Sequence, residues 1–338
     1  MRLQRLNPLL VLALLSAPAS AHLPALYGSE FLRAGGTAAG SARGCMAAAP
    51  EPGDPAPLLE RVAALELEQG PYSAELAEPL SDLARHHRDS GDFDHALDLY
   101  GRALHLVRVN AGLNSEQQLA LLAEIADTYR EQGNLEALDG VRRQQFRLRA
   151  RGRSPQEPAV LAANLEFIAW QREAWSLGID GNRQTRLLQA YLHNRQLLDA
   201  MNDNEAPAAQ QREILLSQLA NLYLIMGIDF VESAAPTVLT ASEVEPSQSG
   251  SRLYVRQRIA RIQQGGLKEG RDILEQLLAQ AGTESGEAYA AVQLELGNWY
   301  QWNGEYRRAA EHYTQVDAAL RAAGRAELVE QWLGEPAE

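Results

Sequence analysis

Leu83-Ala84-Arg85-His86-His87-Arg88-Asp89-Ser90-Gly91-Asp92-Phe93-Asp94-His95-Ala96-Leu97-Asp98-Leu99-Tyr100-Gly101-Arg102-Ala103 carries apolar, small and aromatic residues at set intervals around a single glycine. The same intervals recur 213 residues later in Leu296-Gly297, Tyr300, Gly304, Tyr306, Ala309, Tyr313 and Val316. Apolar positions on either side of the glycine follow a helical period, so each copy reads as two helices joined by a turn. Gly91 and Gly304 end the first helix, where a positive φ is wanted. Small residues (Ala84, Ala96, Gly297, Ala309) fit where the two helices cross closely, and Tyr100 and Tyr313 fill the groove toward the next unit. One such hairpin cannot bury its own apolar face, whereas stacked hairpins can.

This pattern resembles the tetratricopeptide repeat, whose spaced positions run Leu, Gly or Ala, then Tyr, Gly, aromatic, Ala, aromatic and Ala. Ile125-Ala126, Tyr129 and Gly133 repeat its first helix 42 residues after Leu83-Ala84, His87 and Gly91. That interval exceeds the usual period of about 34 residues. The resemblance is therefore to the long-helix variety of the family, like that in kinesin light chains. The second helix of this unit departs from it, because Leu138 and Arg142 replace the small and aromatic residues. Periodicity alone places a third pair over about 156–177 and 183–203, with Ala162, Leu165, Phe167, Ile168 and Ala169, then Leu187, Leu188, Tyr191 and Leu198. Leu219-Ala220, Tyr223 and Gly227 restore a first helix.

Pro236, Pro246 and several serines predict an irregular insertion over 230–250. Helices resume with Tyr254, Ile259 and Ile262, a turn is expected at Gly265-Gly266, and Leu267, Leu274 and Leu277 follow. Leu328, Val329, Trp332 and Leu333 make an apolar stripe suited to a terminal capping helix. A first helix is expected from near Pro57 to Gly70-Pro71, with Leu58, Leu59, Val62, Leu65 and Leu67. The expected fold is an all-α, right-handed solenoid of five to six antiparallel helix pairs over 56–333, with a short tail at 334–338. The absence of alternating Val, Ile and Thr runs speaks against a sheet.

The chain begins like an export signal. Arg2 and Arg5 precede the apolar core Leu9–Leu15, and Ala19-Ser20-Ala21 offers a cleavage site after Ala21. Pro8 and Pro18 bracket a stretch shorter than the roughly 20 residues a membrane span needs. The reading is a periplasmic or secreted protein that meets a membrane only through a partner. Residues 22–55, rich in Ala, Gly, Ser and Pro, read as a flexible leader. The formal net charge is −13, and −15 once the two arginines of residues 1–21 are gone. Such a surface repels phosphate backbones, so nucleic acid is not the expected partner. Cys45 is the single cysteine, which leaves no internal disulfide.

No residues combine into a catalytic signature: there is no phosphate loop, nucleophile elbow or paired Cys/His spacing. His86 and His87 point about 100° apart on a helix. His87 sits at a repeat position usually held by a buried tyrosine and reads as a core histidine, while His95, His105, His193 and His312 each stand alone. Asp89 to Asp94 faintly match a calcium loop, but the twelfth position is Tyr100 where a glutamate is needed. No metal ligand and no cofactor is expected. A rival reading from another class makes His22 or Cys45 the centre of a metal-binding or redox protein.

In tetratricopeptide proteins ligands lie along the concave face lined by first helices. The resemblance implies that Arg85, Arg88 and Asp89 face it in the first clear unit, and Asp127, Arg130 and Glu131 in the second. Asn221, and then Asn298, Gln301 and Trp302, occupy it in the later ones. Arginines there suit carboxylates and amides suit a peptide backbone. The expected function is a non-catalytic scaffold or adaptor of a bacterial cell envelope, binding a peptide or helix of an unidentified protein. An alternative is the repeat arm of a TonB-like or outer-membrane assembly with a further C-terminal domain.

Overall fold

The computed structural model describes residues 54–179, 183–202, 207–228, 246–281 and 286–333. The export signal, Cys45, His22, nearly all of the leader, the insertion up to residue 245 and the tail lie outside these residues. Among the described residues there are twelve α-helices, one 3₁₀ turn and no strand. None of these helices is long and apolar enough to cross a membrane. They are α1 (Ala56–Gln69), α2 (Ala77–Asp89), α3 (Phe93–Ala111), α4 (Gln118–Gln132), α5 (Leu135–Ala150), α6 (Pro158–Leu177), α7 (Arg183–Asn202), α8 (Ala208–Met226), α9 (Pro246–Ala281), α10 (Glu287–Trp302), α11 (Tyr306–Ala322) and α12 (Glu327–Leu333). The third pair falls within two residues of its expected ends.

Two compact units divide these residues. One takes in 54–225 and α9 as far as Ala260; the other takes in 226–228, α9 from Arg261, and 286–333. In the first unit, helices from α1 to α7 each pack on the next. Val62 and Leu65 of α1 close over Leu76, Leu80, Ala84, Ala96 and Tyr100, so α1 caps the stack. Ala126, Leu138, Trp170 and Ala174 join α4, α5 and α6. Leu161, Ile168, Ala190, Leu197, Met201 and Ile214 carry the core on through α8. In the second unit Tyr289, Ala290, Val316, Ala319 and Leu320 form the centre, and Leu328, Val329, Trp332 and Leu333 of α12 cover its end as expected.

The repeat glycines do the work assigned to them. Gly91 and Gly304 both adopt φ 80°. In each case the two residues after the helix turn back to its last carbonyls: Gly91 N–H donates to Arg88 O and Asp92 N–H to His87 O, while Gly304 N–H donates to Gln301 O and Glu305 N–H to Tyr300 O. These bonds satisfy carbonyls that would otherwise be left open at the helix end. Gly297 serves closeness: a Cβ there would lie 2.4 Å from Cε1 of Tyr313.

The middle hairpin shows how a departure from the pattern is absorbed. Leu138 is fully buried where the small residue belongs. Arg142, in the aromatic position, lies over the Trp170 ring at 6.0 Å. Beside them Asp139 accepts from both terminal nitrogens of Arg186, at 2.9 and 3.0 Å, and from Trp170 Nε1 at 2.7 Å. This buried cluster ties α5, α6 and α7 together.

Two expectations fail around α9. The helix begins at Pro246, so 246–250 is helical and does not belong to an irregular insertion. Gly265-Gly266 forms no turn; both lie inside the helix. Buried positions recur at Val255, Ile259, Gly266, Gly270, Ile273, Leu274 and Leu277, so the helical stripe runs straight through the glycines. Gly270 is there for packing, because a Cβ on it would fall 2.0 Å from the Trp299 ring.

Candidate protein-binding face

In the first unit the first helices of successive pairs, α2, α4, α6 and α8, are linked by arginines. From α2, Arg88 Nη1 donates to Glu124 Oε2 of α4 at 2.7 Å, and Arg85 Nη2 lies 3.5 Å from Glu124 Oε1. The buried Tyr100 hydroxyl adds a bond to Glu124 Oε2 at 3.3 Å, and burial pushes its phenol well above the ordinary range. From α4, Arg130 Nη1 donates to Glu173 Oε1 of α6 at 2.5 Å, with its guanidinium 5.9 Å over the Trp170 ring. From α6, Arg172 Nη1 reaches α8 and donates to Asn221 Oδ1 (3.0 Å), Ser217 Oγ (3.1 Å) and Ser217 O (3.3 Å).

The last rung differs in kind. Arg85, Arg88 and Arg130 each meet a carboxylate, so their charge is neutralised within the chain. Among the described residues Arg172 meets only neutral oxygens. Its side chain is half-buried, and the protein crowds it enough that desolvation pulls its pKa down to about 10. It stays protonated at neutral pH: a fixed, uncompensated cation that still reaches solvent. At the turn after α6, Ile179 N–H donates to Ala174 O as Asn134 N–H does to Tyr129 O and Glu305 N–H to Tyr300 O, so Ala174 holds the position of those tyrosines and Arg172 lies two residues before it.

The expected face residues therefore divide. Arg85 is half-exposed, Arg88 more deeply set, and Asp127 and Arg130 are exposed on α4. Asn221 corrects the expectation, because it is fully buried. Its Nδ2 donates to Ala190 O at 3.3 Å while its Oδ1 holds Arg172, so the amide acts inside the stack and offers nothing to a ligand. In the second unit the hydroxyl of Tyr313 lies 3.0 Å from Asn298 Oδ1 and 2.6 Å from Gln301 Oε1, and burial pushes its phenol up to about 12. Gln301 is exposed; Asn298 and Trp302 are half-buried, with Trp302 edge-on to Trp299 at 5.4 Å.

Another expectation fails at the turn of the first hairpin. His95 does not stand alone, and His87 is not a core histidine. His87 Nδ1 lies 3.2 Å from Asp92 Oδ2, and His95 Nδ1 lies 2.9 and 2.8 Å from the two oxygens of Asp92. His95 is largely exposed and His87 half-buried.

The tetratricopeptide repeat family model matches residues 80–111, which are α2 from Leu80 and the whole of α3. Residues 80–111 thus match a tetratricopeptide repeat. Repeats of this kind generally mediate protein–protein interaction. No curated protein matches the chain. Among solved structures it is similar to the nearly identical repeats of a Podosopora anserina protein assigned as a kinesin light chain. That likeness has 18% identity, covers 75% of this chain and 99% of that one, and has a TM-score of 0.41. It is similar also to BtubC (BKLC) of P. vanneervenii, at 12% identity over 80% of this chain and 89% of that one, with a TM-score of 0.40.

Proposed function

We propose that this chain is a non-catalytic protein-binding scaffold of a bacterial cell envelope, and that it holds an acidic segment of its partner against α2, α4, α6 and α8. The envelope address rests on the export-type residues 1–21. The binding mode rests on one observation: Arg172, held by three hydrogen bonds, ends an arginine series in which it alone meets no carboxylate among the described residues. A carboxylate of a partner would complete the rung, bound by a guanidinium already ordered and partly desolvated. The chain's net negative charge does not oppose this, since fields are screened beyond about 8 Å at physiological salt.

The test is retention of immobilised peptides with and without Asp and Glu, by the full chain and by an Arg172→Met variant. Acidic peptides should bind the parent and lose at least about tenfold in affinity to the variant, the scale of a charge-assisted hydrogen bond. Thermal melting should fall modestly, because the buried Asn221 Oδ1 loses its donor at a cost of about 1–3 kcal/mol, while helical circular dichroism at the assay temperature stays unchanged. Equal binding by both proteins would sink the assignment of Arg172. Absence of any peptide binding, together with no copurifying envelope protein, would sink the scaffold reading itself.

A further inference from the structure

We propose that the turn of the first hairpin is a binding site for a divalent transition metal of the zinc class, held by His87, Asp92 and His95. One ligand atom from each of the three residues lies within 4.8 Å of the others. Both imidazoles present Nδ1 to the same carboxylate oxygen, at 3.2 Å from His87 and 2.8 Å from His95. Zinc takes nitrogen and carboxylate ligands at about 2.0–2.1 Å in a tetrahedron, whose edges are then about 3.3 Å. The two imidazole–carboxylate separations thus already stand near those that a shared ion would require. Two neutral imidazoles and one carboxylate suit a borderline ion better than calcium or magnesium, which select oxygen. The exposure of His95 leaves a fourth position open to water.

The backbone holds this geometry independently of the side chains. Asp92 follows the left-handed Gly91 and is the N-cap of α3, with its N–H bonded to His87 O at 2.9 Å. His95 lies one turn into α3.

The fold itself does not require these residues. The corresponding three positions of the second unit are Tyr129, Asn134 and Ala137, with the same backbone bond at 2.9 Å and an ordinary cap in which Ala137 N–H donates to Asn134 Oδ1. In the last unit they are Tyr300, Glu305 and Arg308, where Arg308 pairs with Glu305 at 2.8 Å and lies 5.6 Å over the Tyr300 ring. Three hairpins close in one way, and only the first fills all three positions with metal ligands.

The experiment uses untagged, chelator-stripped full-length chain titrated with Zn²⁺, with uptake read by calorimetry and elemental analysis and geometry read by the absorption of the Co²⁺ form. The variants take residues native to the other repeats: His87→Tyr and His95→Arg. His86→Gln and His105→Gln serve as controls. The expected result is one Zn²⁺ per chain in the parent and controls, with affinity at least about tenfold weaker in both variants. Tetrahedral Co²⁺ bands should vanish with it. Helical circular dichroism should stay unchanged in all five proteins. Two outcomes overturn the site: a parent that takes up no Zn²⁺ at micromolar concentrations, or variants that bind as tightly as the parent. The second would leave any uptake to groups elsewhere, His22 included.

Discussion

The first and last hairpins, 83–103 and 296–316, are built on one pattern and put to different uses. Their turns match: φ 80° at Gly91 and Gly304, and a closing bond of 2.9 Å at Asp92 and Glu305. Their surfaces do not. Arg85 and Arg88 of the first hairpin reach outward to Glu124 of the next first helix. In the last, Tyr313 bonds to Asn298 and Gln301 and Arg308 to Glu305 within the hairpin, and Trp299 Nε1 donates to the backbone of Leu267 in α9. The repeat pattern therefore fixes the crossing of the helices and leaves the exposed positions free. Function has to be sought at those positions, one unit at a time.

The largest expected effect lies between the two, in the hairpin that departs from the pattern. Asp139→Ala removes the buried carboxylate to which both terminal nitrogens of Arg186 donate, and the Arg186 side chain is only 5% exposed. Removing one partner of such a pair costs about 3–5 kcal/mol. Urea unfolding followed by tryptophan fluorescence should show that loss; a change below about 1 kcal/mol would mean that packing alone carries the middle hairpin. Next comes Gly297→Ala, which places a methyl against the Tyr313 ring. Overpacking of this kind costs about 1–3 kcal/mol. At the equivalent position of the first hairpin, Ala84→Gly should cost only about 0.5–1 kcal/mol, the usual effect of glycine in a helix. Equal losses from the two changes, measured by denaturant midpoints at constant m-value, would show that the small position is not set by the facing tyrosine.

The smallest effect concerns pH. Burial holds His312 below the usual imidazole range, against the opposing influence of Glu311 and Glu275. Its Nδ1 lies 2.6 Å from Gln293 Oε1 and its ring stacks on Tyr300. The unfolded chain takes up a proton near pH 6.5, the ordinary histidine value, which the folded chain refuses. Stability is therefore present above about pH 6.5 and falls as the pH drops toward the folded value. Melting temperatures taken between pH 7 and 5 should decline, and less steeply in His312→Phe.

What could be read from the sequence follows from how residues signal. Gly91, Gly304, Ala96 and Tyr313 each announce a backbone or packing need that few other residues meet, so the two strong hairpins were legible almost to the residue. The third pair was legible from periodicity, because α6 and α7 bury one continuous face. Gly265 and Gly266 misled because a glycine pair reads as a turn in one dimension, whereas α9 runs through them and a Cβ at Gly265 would meet nothing; the packing glycine of this helix is Gly270, against the Trp299 ring 29 residues away in sequence. Asn221 misled for a related reason. Its repeat position is exposed at Asp127 but is covered in α8, where Arg172 reaches over from α6. The convergence of His87 and His95 was hidden because they are eight residues apart on two helices, and only the reversal at Gly91 faces them together.

The claim that the first helices carry the recognition face is tested most directly by photo-crosslinking in the native envelope. A photoreactive residue at Asp127, exposed on α4, is compared with one at Arg147, exposed on the second helix α5. The expected result is a discrete adduct from position 127 that disappears with Arg172→Met, and none from 147. An adduct from 147 alone, or one from 127 that is indifferent to Arg172, would contradict it.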